Sequence, residues 1–227
     1  LQQAATATSS GDTATAAKLW ATLVQWIRQN TPAGSPLLPQ SLLQLADAQS
    51  SQGQLTQAVI TYQEVLQLAR ALAEPRPKLV AILLNNLADL YAGLERFSEA
   101  KSLLQESLNM KLIALGSNHP EVGIGHSNLG DLLREMGELE LAKQHLTLSL
   151  AILKPQANEQ PLAFAAALNN LSRLQRLQGA WDLAQQSLVH AQQLRLKALP
   201  PDHQDLALGW NNLGTLALSR GDLTTAQ

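Results

Sequence analysis

The chain has 227 residues, 45% of them hydrophobic and none of them cysteine, with a formal net charge of -2. That composition suits a folded protein, excludes disulfides and thiolate metal sites, and lacks the basic footprint of a general nucleic-acid binder. No stretch reaches the ~18 consecutive apolar residues of a membrane-spanning helix, so the expectation is no nucleic acid, no membrane and a cytoplasmic location.

The start, Leu1-Gln2-Gln3-Ala4, lacks a methionine, a basic segment and an apolar signal core, and is expected to be an internal cut in a longer chain. Gly11, Ala16 and Trp20 stand 42 residues before Gly53, Ala58 and Tyr62. Residues 12–29 therefore read as the second helix of a partial repeat, 1–37. Asn30 to Pro39, with three prolines and a glycine, is a longer connector. Four full repeats follow at 38–79, 80–121, 122–163 and 164–205, and a partial one at 206–227. A fixed period within about 20 to 50 residues is the signature of a solenoid, so residues 1–227 are expected to form one elongated domain.

The register is carried by several residue types. Asn86, Asn128, Asn170 and Asn212 recur at 42 residues, each followed by a leucine. Leu45, Leu87, Leu129, Leu171 and Leu213 keep step with them, as do Ala58, Ala100, Ala142, Ala184 and Ala226. In the copy at 80–121, Leu84, Leu87, Ala88 and Tyr91 fall on one arc of a first helix. Ala100, Leu103, Leu104 and Leu108 make the buried stripe of a second helix opening near Phe97. Alanine at the first of these registers lets paired helices approach. Gly53, Gly137, Gly179 and Gly221 share a turn register that favours positive φ, where Glu95 stands instead at a local cost of up to about 1 kcal/mol. Gly116, Asn118 and Pro120 end the second helix, and Pro120 suits the first turn of the next.

These residues resemble the tetratricopeptide repeat family, in its 42-residue, kinesin-light-chain-type variety. The likeness is carried by Leu84-Asn85-Asn86-Leu87-Ala88-Asp89-Leu90-Tyr91, by Phe97 and Ala100, and by Leu115-Gly116-Ser117-Asn118-His119-Pro120-Glu121-Val122. Leu168-Asn169-Asn170-Leu171 and Trp210-Asn211-Asn212-Leu213-Gly214 repeat its opening. The His-Pro connector is intact at His119-Pro120 and half kept at His203-Gln204. The resemblance implies an all-α, right-handed superhelical solenoid of antiparallel helix pairs, whose first helices line a concave peptide-binding groove.

The helical wheel gives the same face independently. With the leucine arc buried, Asn85, Asn86 and Asp89 point to the opposite side. Equivalent positions are Gln44 and Asp47, then Asn128, Asp131 and Arg134, then Asn169, Asn170, Arg173 and Arg176, then Asn211 and Asn212. Amides donate and accept, so such a row can hold a peptide backbone whatever its side chains. The competing role is a tie between adjacent helices. Asp47, Asp89 and Asp131 share a register that passes to Arg173, so the groove is expected to be acidic toward its N-terminal half and basic toward its C-terminal half. Its ligand would carry Lys/Arg at one end and Asp/Glu at the other.

Chemistry of other kinds is not indicated. No two histidines lie three or four residues apart on one helix, so no metal ligand set is expected. His126-Ser127 near Asp131 holds hydrolase residue types, but neighbouring helical residues diverge by about 100°. Gly123-Ile124-Gly125 stops short of a dinucleotide fingerprint, and no phosphate loop occurs. Trp20 and Trp181 are expected to pack, and Trp210, in the register of Leu84 and Leu168, to join the core. The expected function is a non-enzymatic scaffold with no cofactor, binding a protein or peptide. The alternatives are a regulatory or substrate-recruiting arm of a larger enzyme or signalling protein, and self-association through open repeat ends.

Overall fold

A computed structural model describes residues 1–32, 34–72 and 76–221. Among them the secondary structure is helical throughout: α1 Gln2–Ser9, α2 Thr13–Asn30, α3 Leu37–Ser51, α4 Leu55–Arg70, α5 Pro77–Gly93, α6 Phe97–Leu115, α7 Pro120–Glu135, α8 Leu139–Leu153, α9 Pro161–Leu177, α10 Trp181–Ala198 and α11 Gln204–Arg220. A short 3-10 turn, Lys154–Gln156, follows α8. The helices divide into two compact units, Leu1–Met110 and Lys111–Gln227.

In the first unit α1 packs on α2, α2 on α3, α3 on α4 and α4 on α5. The second has α7 against α8, α8 against α9, α9 against α10 and α10 against α11, and α7 also touches α9 directly. That last contact sets the first helices of two successive repeats side by side. The alanine register explains how the helices approach. Ala58, Ala100, Ala142 and Ala184 are all 0% exposed, and Ala16 is 1% exposed. Ala226, the last member, lies outside the described residues, as does Ala33 of the connector. The connector is shorter than expected, because α3 begins at Leu37 and takes Pro39 into its first turn, where a proline's missing N–H costs no intrahelical bond.

The turns inside the repeats close as the glycine register requires. Gly53, Gly137 and Gly179 have φ of 72°, 78° and 72°, and Glu95 adopts φ 59°, the one non-glycine residue with positive φ among the described residues. Its turn keeps the same bonds: Glu95 N–H donates to the Ala92 carbonyl at 2.9 Å and Arg96 N–H to the Tyr91 carbonyl at 2.8 Å. These are the paired bonds of a left-handed helix cap. The Arg96 guanidinium lies 4.5 Å from the centre of the Tyr91 ring and pairs with Glu99 at 2.7 Å, contacts that accompany the strained turn.

The connectors between repeats use histidine as a cap. The His119 Nδ1 accepts from the Glu121 N–H at 3.2 Å, and the His203 Nδ1 accepts from the Asp205 N–H at 3.2 Å. Half-kept His203-Gln204 thus makes the same cap as His119-Pro120, because the bond needs only an imidazole lone pair. Both caps sit beside a buried cation on the preceding second helix. Lys111, 6% exposed, pairs with Glu121 at 3.2 Å. Arg195, 8% exposed, feels Asp205 electrostatically, but burial holds its pKa below the usual arginine range.

Trp20 is buried and its indole N–H donates to the Thr8 hydroxyl at 2.9 Å, and Trp181 packs against Ala184, Leu188 and Leu216. Trp210 differs from expectation: it is 56% exposed rather than core. The residues expected to open the second helix of that repeat lie outside the described residues.

Candidate functional site

In the first unit the first-helix face carries Gln44, Asp47, Asn85, Asn86 and Asp89. Gln44, Asn85 and Asn86 are half-buried, and both aspartates are exposed. Tyr62 of α4 reaches this face from below, its hydroxyl donating to Asp47 Oδ1. Asn86 Nδ2 donates back to the Tyr62 oxygen at 3.1 Å. Burial of the ring and the bond to Asp47 push the Tyr62 pKa above the usual tyrosine value, so the hydroxyl stays protonated and the aspartate keeps its acceptor role. Asn85 Oδ1 is buried there without a hydrogen-bond partner.

The second unit turns the same register into an ion cluster. Asp131 takes Arg134 Nε at 2.7 Å on one oxygen and Arg173 at 2.9 Å on the other. Arg134 also reaches Glu135 at 3.0 Å. Burial opposes the Arg134 charge, yet its bonds to Asp131 and Glu135 raise its pKa above the ordinary arginine range. A cavity of about 380 Å³ opens beside the cluster, lined by Arg134, Asn169, Arg173, Arg176 and Asn212 among others. Five residues chosen from the sequence thus line one concavity, together with the acidic Glu135, Ser172, Thr215 and the apolar Leu188 and Leu216.

Two of the residue sets chosen from the sequence are engaged by neighbouring repeats. The passage from acid to base between Asp131 and Arg173 does not set opposite charges apart. The 42-residue interval places them on adjacent helices, where they neutralise one another. Nor is the asparagine row free. Asn170 Nδ2 donates to Ser127 Oγ at 3.1 Å and Asn212 Nδ2 to Asn169 Oδ1 at 2.8 Å, each one repeat back. Asn169 is only 8% exposed, being the acceptor of that tie. The amide hydrogens of Asn86, Asn170 and Asn212 therefore link neighbouring helices, the competing role weighed from the sequence. Asn128 is half-buried, while Asn211 and Arg176 are exposed.

Three features escaped the sequence reading. A second cavity of about 580 Å³ lies in the first unit among α4, α5 and α6, walled by Leu66, Leu87, Tyr91 and Leu103. Arg28 pairs with Glu64 at 2.6 Å and Arg70 with Glu106 at 2.5 Å, the same second-helix contact made twice, 42 residues apart. His126 of α7 and His145 of α8 meet with their Nδ1 atoms 2.9 Å apart. The ion pairs repeat at the sequence period and were open to a search for charges recurring one repeat apart. The cavity and the histidine contact need helices folded together.

Family models described as tetratricopeptide repeat match residues 79–154 and 41–76. No curated protein matches the chain. Among solved structures, BtubC (BKLC) from P. vanneervenii is 23% identical, with a TM-score of 0.68 over 99% of this chain and 85% of that one. A Podosopora anserina putative kinesin light chain with nearly identical TPR-like repeats is 22% identical, with a TM-score of 0.68 over 87% of this chain and 93% of that one. A Rap protein complexed with Competence and Sporulation Factor is 15% identical, with a TM-score of 0.73 over 91% of this chain and 55% of that one. At these identities the likeness is one of fold.

Proposed function

This chain is a tetratricopeptide repeat protein, and from that premise we propose that its first-helix faces hold an extended segment of a partner protein, without catalysis. Scaffolding of protein contacts is the general use of such repeats. The finer reading is a peptide with an acidic residue set against Arg176 in the second unit. The observation that carries it is the cavity where Arg134, Arg173 and Arg176 converge with the Asn169 and Asn212 amides. Arg134 and Arg173 already share Asp131, and no acid pairs with Arg176 among the described residues. An incoming carboxylate would meet one uncommitted guanidinium and a second that is half engaged. Charge-assisted bonds of that kind contribute about 1.5–3 kcal/mol each when well formed. Leu188 and Leu216 supply an apolar floor for the flanking side chain.

The first unit presents a face of its own, where the exposed Asp47 and Asp89 suit Lys or Arg, although both already make contacts within the fold. A ligand solved on a related fold, the Competence and Sporulation Factor on a Rap protein, is consistent with ligand holding. Among the described residues no helix is long and apolar enough to cross a membrane; we take the setting to be cytoplasmic.

A peptide-array screen followed by titration tests this. Acidic hits should lose affinity on the order of 10-fold or more with Arg173→Glu and Arg176→Glu. Alanine at Asn86, Asn128, Asn170 and Asn212 should weaken every hit. Unchanged affinity in both sets, with helix content intact by circular dichroism, refutes the groove.

A further inference from the structure

Within the second unit one helix pair departs from the aliphatic grammar of the repeats. The registers of His126 and His145 hold Leu84 and Leu103 one repeat earlier. Leu84 is 0% exposed. Here two imidazoles stand instead, half-buried, with Nδ1 atoms 2.9 Å apart and ring centres 5.1 Å apart. Placing two polar rings at a core register opposes stability unless they gain something in return.

The backbone around them is arranged for close approach. Gly123 and Gly130 lie three residues before and four after His126, on the face of α7 that meets α8. A Cβ at Gly123 would stand 2.8 Å from Leu153 Cγ, and one at Gly130 2.8 Å from Leu146 Cγ. Both contacts are too short for any side chain, so the glycines let α8 settle onto α7. His145 comes from the stretch between Ala142 and Leu153, and is carried into the His126 ring by that approach. Ser149, one turn further along α8, keeps a fully buried hydroxyl without a partner, so this interface holds more polar atoms than its own bonds satisfy.

We propose that His126 and His145 form a two-imidazole site for a divalent first-row transition metal of the Cu²⁺, Ni²⁺ or Zn²⁺ class, joining α7 to α8. Imidazole nitrogens bind such metals at about 2.0–2.1 Å. Two of them on one ion are then about 2.9 Å apart at a right angle and about 3.3 Å apart in a tetrahedron. The observed separation falls at the lower end of that range, so the rings need to turn toward a common point but the helices need not move. The metal takes the place of the proton held between the two Nδ1 atoms. That proton passes to Nε2 of the donating ring by exchange with water, so both rings stay neutral and each ligates through a free Nδ1. No third histidine, cysteine or carboxylate joins them among the described residues. The other coordination positions are left to water or to a group from a bound partner.

The test is titration of the intact chain with Cu²⁺, Ni²⁺ and Zn²⁺ separately, beside Mg²⁺, by calorimetry and thermal unfolding. One equivalent of Cu²⁺ should bind most tightly of the four, and Mg²⁺ not at all. The double variant His126→Leu with His145→Leu, which restores the residue types at Leu84 and Leu103, should lose that equivalent by on the order of 10-fold or more. Binding that persists undiminished in the folded double variant overturns the proposal, as does failure of the unaltered chain to bind Cu²⁺ stoichiometrically. Should the variant not fold, paramagnetic broadening by Cu²⁺ on the unaltered chain decides. Selective loss of the His126 and His145 ring signals supports the site; loss centred on His119, His190 or His203 contradicts it.

Discussion

Asp47 and Asp131 hold the same register in the two units, yet they are used in opposite ways. In the first unit Asp47 accepts from a protonated tyrosine, which also accepts from Asn86. Tyr62 is buried beneath the face, and Asp47 is exposed on it. In the second unit Asp131 is held between Arg134 and Arg173 and is outnumbered by cations, leaving Arg176 over. One repeat position can thus be an acidic face or the anchor of a basic one, according to what stands a repeat later. The difference lies in Arg173, where the preceding copies have aspartate.

The largest effect should come from removing that anchor. Asp131→Ala leaves the half-buried Arg134 and its neighbour without their shared acid, and a loss of about 1.5–3 kcal/mol is expected by denaturant unfolding. The same change should strengthen acidic-peptide binding, since Arg173 is released and Arg134 keeps only its pair with Glu135. Weaker binding in a folded Asp131→Ala protein would mean that Asp131 orients the arginines rather than competing with the ligand. Tyr62→Phe breaks the other half of the comparison. It strips Asp47 and Asn86 of their common partner, and about 1–2 kcal/mol should be lost while acidic-peptide affinity stays unchanged.

Smaller effects separate backbone from side-chain causes. Glu95→Gly should stabilise by up to about 1 kcal/mol, because glycine takes positive φ freely; thermal unfolding measures it, and destabilisation would assign the larger role to side-chain packing at Glu95. A pH series reads the His126 environment. Its folded-state pKa is depressed, so the unfolded chain takes up the proton first as pH falls. The contribution to stability should be complete above about pH 6.5, decline below it toward the depressed value, and then level off. His126→Leu should remove that slope. Smallest of all, Arg28→Ala should cost no more than about 1 kcal/mol, and less at high salt, since the Arg28–Glu64 pair is exposed.

The fold was legible because its grammar is repeated. The alanine register, the glycine turns with Glu95 as their exception, and the start of α7 at Pro120 all follow from residue type at a fixed interval. The face of the first helices was legible from the wheel, and residues such as Arg176 and Asn212 do line one cavity. What each side chain bonds to was less accessible. Asn170 with Ser127 and Arg173 with Asp131 are pairs about one repeat apart, and reading them requires knowing that first helices of successive repeats touch. The His126–His145 contact joins two helices through residues 19 apart, beyond a search for ligands along one helix. Trp210 shares the register of Leu84 and Leu168 but is exposed, so register alone did not give its burial.

Exchanging charges across the contact tests whether the cavity beside Arg176 receives an acidic residue of a partner peptide. An acidic peptide hit and its lysine-substituted counterpart would each be titrated against the unaltered chain and against Arg176→Glu. The acidic peptide should prefer the unaltered chain, the lysine peptide should prefer the variant, and the paired reversal should restore at least part of the affinity. Equal affinity of both peptides for both proteins would contradict it.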